Sequence, residues 1–303
     1  MVERRAVFRP DRRAFLTAAS ALLAAGFPLQ ARAARAKPRL AAIDWAMLET
    51  AVAIGHMPVA ACELIRFRED AISPAIPDDV VDLGLRGAPN FELLQLTRPD
   101  LILTSPYYIR YQTRLQTLAP VVNLPFYTPQ EPPLPKAVAA LHTLAEAVED
   151  DPAGDRAADR AQTELDQLAR RLRPFSDRPV ALVHIGDARH VQAFGHDSLF
   201  GSTLTRLALQ NAWNEATAFS FMAPVPLERL ASMHEARLVI VGQIPPPALH
   251  GLRRSVLWRA LPPVAGGRLY LLPDVNAFGA VPAALRFARL LTEAFEAGPM
   301  AWT

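Results

Sequence analysis

Cysteine and lysine are almost missing from this chain of 303 residues, which has one cysteine, Cys62, and two lysines, Lys37 and Lys136. A single cysteine excludes an internal disulfide framework and any thiolate zinc cluster. Long apolar runs are also missing. The stretch Ala18 to Leu29, interrupted by Ser20, Gly26 and Pro28, covers 12 residues, short of the ~20 that span a bilayer as a helix. No Gly-rich phosphate loop of the Walker or dinucleotide type occurs, nor a Gly-x-Ser-x-Gly elbow. These absences remove nucleotide-driven enzymes, dinucleotide oxidoreductases and elbow-type hydrolases from consideration. About half of the residues, 51%, are apolar, so a large core can form and intrinsic disorder is excluded.

The charge balance changes meaning once the first residues are read. Lys and Arg number 32 against 30 Asp and Glu, a formal +2, which points toward nucleic acid or anionic membrane. Yet Arg4, Arg5, Arg9, Arg12 and Arg13 form a positive head, the apolar run follows it, and Ala31-Arg32-Ala33 supplies the small residues a signal peptidase requires. A second such triplet, Ala34-Arg35-Ala36, adjoins it. Asp11-Arg12-Arg13-Ala14-Phe15-Leu16 resembles the twin-arginine export motif. With no cysteine near the cut, a lipid anchor there is excluded, and the expectation is a protein free in the periplasm. Removing residues 1–33 takes away six arginines and two acids, leaving 26 basic residues against 28 acidic ones. The working chain is weakly acidic, and no nucleic-acid partner is expected.

From Arg39 onward short apolar runs alternate with helical stretches, which predicts α/β construction. Leu40–Ile43 reads as a strand, and the stretch from Trp45 to Ile54 as a helix. Asn90 caps a helix over Phe91, Leu93, Leu94 and Leu96, and Leu101–Leu103 reads as a buried strand. Lys136–Val148 and Ala153–Leu172 are helical; the second is charged around most of its circumference and is expected to bridge two bodies. A second α/β series follows: strands at Val180–His184, Ala236–Val241 and Leu269–Leu272, and helices at Ser198–Leu209 and Val281–Ala297. The expected organisation is a first lobe over residues 38–150, a connecting helix over 151–174 and a second lobe over 175–303. Clefts between lobes are preferred ligand sites, and a chain without catalytic motifs is expected to capture a solute. His184, His190 and His196 recur every six residues, a spacing wrong for one helix face; a single strand would align them, but Gly186 and Asp187 interrupt it, so no metal site is expected there. Asp197 and Ser198 are expected to cap the helix beside them; an exported hydrolase centred on Ser198 is the competing class.

The run Val81-Asp82-Leu83-Gly84-Leu85-Arg86-Gly87-Ala88-Pro89-Asn90-Phe91-Glu92-Leu93-Leu94 resembles the periplasmic ferric-hydroxamate (ferrichrome-type) binding proteins of bacterial ABC importers. Arg98-Pro99-Asp100, Leu118-Ala119-Pro120, Phe194-Gly195, Ser198-Leu199-Phe200, Asn211-Ala212-Trp213 and Leu257-Trp258 continue the resemblance in the same order, from about Arg39 to Phe295. It implies two Rossmann-like α/β lobes joined by one long helix, with the ligand cleft between them. It further implies a non-enzymatic monomer that binds a ferric siderophore and delivers it to an inner-membrane ABC permease. Iron would be held through the siderophore alone, with no protein cofactor or metal ligand. Arg86 matches the arginine that meets iron-ligating oxygens, a task suited to the several donors of a guanidinium. Tyr108 matches its partner tyrosine, and Trp45 and Trp213 match tryptophans near the cleft.

Departures from that pattern carry information. Asp70, Thr104, Ser220 and Asn276 stand where the family's cleft carries tryptophans, Phe278 replaces a tyrosine, and Gln192 replaces a leucine. Phe219 and Phe221 flank Ser220 and are placed to restore part of an aromatic wall. The expected pocket is more polar than the ferrichrome type, which suits a ferric hydroxamate or a mixed citrate-hydroxamate. Corrinoid, haem and ferric dicitrate remain open on the same scaffold. Glu228 matches the acidic residue with which the second lobe docks on the permease; on the first lobe the matching position holds Thr113.

Overall fold

The computed structural model describes residues 37–213 and 223–302. Residues 1–33, expected to be an export signal, therefore lie outside the described residues. Among the described residues, no helix is long and apolar enough to cross a membrane.

Five short strands build the first sheet: β1 (Leu40–Ala42), β2 (Ala60–Ala61), β3 (Val81–Asp82), β4 (Leu101–Thr104) and β5 (Val121–Asn123). Their order is β3-β2-β1-β4-β5 and every pairing is parallel. β1 sits at the centre, with Leu40 opposite Leu101 and Ala41 opposite Ile102. Small and branched apolar side chains suit such strands because helices cover both faces of a parallel sheet. Successive strands move one way from β1 to β3 and the other way from β4 to β5. The chain thus reverses direction between β1 and β4, and ligands of open α/β sheets bind outside the carboxyl ends of strands at such a reversal.

The second sheet is mixed. It contains β6 (Val180–Ile185), β7 (His190–Ala193), β8 (Ala223–Pro226), β9 (Arg237–Val241) and β10 (Leu269–Leu272), in the order β10-β9-β6-β7-β8. β10, β9 and β6 are parallel, whereas β7 runs antiparallel to both β6 and β8. The turn after β6 is set by Asp187, whose Oδ1 accepts from the backbone N–H of Arg189 at 2.6 Å and of His190 at 2.8 Å. This hairpin separates the three histidines: His184 lies opposite Gln192 on the neighbouring strand, and His190 is exposed beside Asp187.

The long helix, Asp151–Leu172, begins with Pro152 in its first turn and carries Arg170 and Arg171 in its last, both favourable to its dipole. Charge does cover most of it, but a narrow apolar stripe runs along one side. Ala153, Ala157 and Ala161, in its first half, join the core beneath the first sheet. Leu165, Leu168 and Leu172, in its second half, join the core beneath the second sheet. One helix therefore serves both cores, as expected of a connector. It is not alone at the joint. The helix Pro133–Ala147 places Ala137, Ala140 and Leu141 in the first core and Leu134 in the second. The last helix, Val281–Ala297, opens with Val281 in the first core and continues with Phe287, Leu291 and Phe295 in the second.

Candidate functional site

The segments that follow the carboxyl ends of β1, β2, β3 and β4 carry the residues around Arg86. Asp44 ends the β1 segment and caps the helix Trp45–Ala53, its Oδ1 accepting from Ala46 N at 2.7 Å and Met47 N at 3.3 Å. Its Oδ2 accepts from the Ser105 hydroxyl at 2.8 Å, which ties the ends of β1 and β4 together. Burial raises the Asp44 pKa, while these hydrogen bonds and the nearby Arg86 charge oppose the shift. Trp45 is buried, donates from Nε1 to the Cys62 carbonyl at 3.0 Å and meets Phe67 edge-on at 5.2 Å. Burial pushes the Cys62 thiol pKa up, so the lone cysteine stays protonated and unreactive.

The Arg86 guanidinium sits over Trp45, with its Cζ 3.9 Å from the ring centroid. Its Nε donates to Glu63 Oε2 at 2.7 Å, and its backbone N–H donates to Glu63 Oε1 at 3.3 Å. The two side chains are 21% and 13% exposed, so the pair is largely shielded from water. Glu63 itself adopts a left-handed backbone, φ 53° and ψ 43°, at the start of the helix Leu64–Asp70. It does not cap that helix; Asp82 Oδ2 does, accepting from Leu64 N at 3.0 Å and Ile65 N at 3.3 Å. A non-glycine residue in this region carries strain, and such strain gathers at functional positions. Stacking and the Nε contact leave the two terminal amino groups of Arg86 with no hydrogen-bond partner among the described residues.

The second lobe supplies the facing wall. Arg86, Trp45, Arg66 and Asp70 share one cavity of ≈ 420 Å³ with Gln192, Phe194, Phe200, His184 and the segment Asp274–Phe278. His184 Nδ1 lies 3.0 Å from the Val241 carbonyl, and Asp274 Oδ1 accepts from Gln243 N at 3.1 Å. Arg66 and Asp70 pair with each other at 2.8 Å, one helical turn apart. Asn276 and Phe278 are linked through the Asn276 Oδ1, which accepts from Phe278 N at 3.1 Å. Phe278 meets Tyr127 edge-on at 5.5 Å.

Six of the sequence-selected residues therefore converge: Trp45, Asp70, Arg86, Gln192, Asn276 and Phe278. Tyr108 stands beside this group. It is half-buried in a kinked turn, φ −108° and ψ 19°, near enough to Asp44, Arg86 and Glu63 to sense their charges. Burial first, then the Asp44 charge, push its pKa up to about 12, so it remains a hydroxyl donor. Thr104 does not reach the cavity, because it is the last residue of β4 and only 1% exposed. Trp213 is also placed elsewhere: it packs on Ala193 and lines a separate cavity with Arg229, whose Cζ is 5.5 Å from its ring centroid. Its position after the bridge of Asn211 to Val180 fixes it away from the carboxyl ends of the strands. Phe219, Ser220 and Phe221 lie outside the described residues. Ser198 acts as the expected cap, its hydroxyl donating to the Gly195 carbonyl at 2.6 Å and accepting from Gly201 N at 2.9 Å. Glu228 is exposed in the first turn of the 3₁₀ helix Leu227–Ser232.

A family model described as periplasmic binding protein matches residues 40–275. The chain belongs to the periplasmic binding protein family. Among its relatives is the iron(3+)-hydroxamate-binding protein FhuD of Escherichia coli, 29% identical over 256 residues, which are 84% of this chain and 86% of that one. The same periplasmic binding fold occurs in the siderophore-binding protein FhuD of Vibrio cholerae, solved with Fe3+-Desferal, at a TM-score of 0.80 and 24% identity, covering 87% of this chain and 100% of that one. The petrobactin-binding protein YclQ of Bacillus subtilis gives a TM-score of 0.70 at 13% identity, covering 86% and 92%.

Sequence reasoning missed Glu63, Asp44 and Asp274. No local pattern marks Glu63, because its role depends on a left-handed backbone and on a partner 23 residues away.

Proposed function

We propose that this protein is the periplasmic solute-binding component of an ABC importer, capturing a ferric hydroxamate or mixed citrate-hydroxamate siderophore. The observation that carries this reading is Arg86: a guanidinium fixed by Glu63 and Trp45 at a cleft between two sheets, its terminal amino groups without a hydrogen-bond partner among the described residues. Such a group offers N–H donors to the clustered, electron-rich oxygens around a chelated ferric ion. The half-buried ring of Phe278 suits the apolar spacers of a hydroxamate, and Gln192 and Asn276 suit its amides. A citrate carboxylate is served by Arg66 and Arg86 on the first wall, while Asp274 on the other suits amide or ammonium donors. Iron stays bound to the siderophore, and the protein acts as a monomer.

The test is a titration of the mature protein with ferric hydroxamates, citrate-hydroxamates and catecholates, following tryptophan emission. Trp45, under Arg86, is the expected reporter, so saturable quenching should disappear in Trp45→Phe. Tight ferrichrome binding with no response to citrate-hydroxamates would overturn the pocket reading. Ester turnover abolished by Ser198→Ala would replace it with a hydrolase.

The twin-arginine signal would bring the protein to the periplasm already folded, and Glu228 would meet a basic residue of the permease. Glu228→Arg is therefore expected to lower siderophore uptake in cells while leaving affinity in solution unchanged. A parallel loss of affinity would contradict docking through this residue.

A further inference from the structure

One acidic side chain near the cleft has no part in that reading. Glu49 lies in the helix Trp45–Ala53, is 0% exposed, and reaches across to the second lobe. Its Oε1 accepts from Asn276 Nδ2 at 2.7 Å. Its Oε2 accepts from the backbone N–H groups of Ala280 at 2.7 Å and Ala283 at 3.1 Å, at the start of the last helix. That start has no cap from its own chain neighbours, so a carboxylate from the other lobe does the capping. Close approach here requires Gly279, since a Cβ at that position would lie 2.5 Å and 2.6 Å from the two Glu49 oxygens. Tyr127 braces the same turn, its hydroxyl donating to the Gly279 carbonyl at 2.5 Å.

We propose that Glu49 is a positioning residue for the ligand cleft, fastening the turn that carries Asn276 and Phe278 to the opposite lobe. The inference rests on the proposed capture of a ferric siderophore in that cleft. The hydrogen-bond chain gives the reason. Asn276 is held at both ends of its amide, Nδ2 by Glu49 and Oδ1 by Phe278 N. Three N–H donors converge on the two Glu49 oxygens, an arrangement built for the ionised form. A proton on Oε1 would oppose the Asn276 amino group; turning that amide to offer Oδ1 would release Phe278 N.

Protonation is accessible. Burial raises the Glu49 pKa to about 7 against the pull of those three donors, with the Asp44 charge adding a smaller upward push. The titratable groups facing Glu49 are Asp44, from the start of its own helix, and Tyr127, from the segment after β5; the last helix offers it backbone amides. Tyr127 stays neutral across this range, because burial first and then Glu49 hold its pKa well above the usual value. Within the folded state the carboxyl stays buried, so losing its three donors would raise its pKa further; protonation then favours a loosened wall, and the wall should be best ordered above neutrality.

Ferrioxamine B is a suitable probe, since its primary amine keeps its charge from about pH 8 to about pH 5.5. At the upper end Glu49→Gln is expected to weaken its binding about tenfold, the scale of one lost charge-assisted hydrogen bond. The unmodified protein should lose affinity by a similar factor on acidification, and the variant should be flat. The ratio of the two profiles removes every pH effect that the two proteins share. A purely structural role would lower the melting temperature of the variant but leave both the affinity and its pH profile as in the unmodified protein, and would overturn the proposal. The ¹⁵N amide shifts of Ala280 and Ala283 in ligand-free protein should titrate near neutrality and cease to do so in the variant. If the unmodified protein bound no ferric siderophore, the capture reading and the cleft role of Glu49 would both fall, while the amide titration would still judge the tether between lobes.

Discussion

Arg86→Ala should weaken binding of a ferric hydroxamate about a hundredfold, since it removes charge-assisted donors from a partly desolvated wall. The loss is large because the guanidinium is already oriented. Its Cζ is 3.9 Å from the Trp45 ring centroid and its Nε is 2.7 Å from Glu63, so binding need not order it. Arg86→Lys should recover little, because an ammonium can neither stack on the indole nor present a planar fork. Stability should also fall, by about 1–3 kcal/mol, because a shielded Glu63 carboxylate loses its partner. Pairing the change with Glu63→Gln should restore the stability and leave binding as weak as in Arg86→Ala alone. Calorimetric titration beside urea unfolding separates the two effects. Full affinity in Arg86→Ala would remove this residue from the site.

Gly279→Ala is expected to be among the most damaging single-methyl additions, costing about 3–5 kcal/mol in urea unfolding. The new Cβ would meet both Glu49 oxygens and, at 2.5 Å, the Cβ of Ala283. Glu49 cannot step aside without leaving three N–H groups and a buried carboxylate unsatisfied. Combining the change with Glu49→Ala should return part of the stability; no recovery would place the strain elsewhere. The pH dependence has a definite sign. Folded Glu49 keeps its proton to about pH 7, above the ordinary 4.5 of an unfolded glutamic acid. Its titration therefore favours the folded state fully below about pH 4.5, and that contribution fades as pH rises through 7. The cost of Gly279→Ala should accordingly be smaller at about pH 5.5 than at about pH 8, since the displaced group is then neutral.

Much of this could be read from local sequence. Asn90 accepts from Leu93 N at 2.9 Å, as its place before an apolar run implies, and the long helix and the last helix occupy the stretches their periodicity marks. The strands β2 and β3 could not be read, because two residues are too few to show alternation. β7 and β8 also gave no signal, although together they make the second sheet mixed. Among the residues lining the cavity, Arg86 and Asn276 are singled out in the sequence by the motif around them and by their offset from a known pattern. Glu49 left a fainter trace. It is the only charge in the nine residues Trp45–Ala53, and an acid in so apolar a helix must find donors inside the protein. Nothing local named those donors, which lie more than two hundred residues away in the last lobe. Trp213 shows the reverse error, since a matched tryptophan need not share a cavity when the chain around it differs.

The shared joint bears on release. Three helices run through both cores, and Glu49 and Tyr127 bind one lobe to the other at the edge of the cleft. A receptor built this way has no inexpensive open form in which to let its cargo drift out. Parting the walls would expose apolar surface and strand a carboxylate, so thermal motion alone would seldom do it. In the proposed importer the work of unloading would then fall to the permease that accepts the cargo, and the strength of the joint would set how hard it must pull.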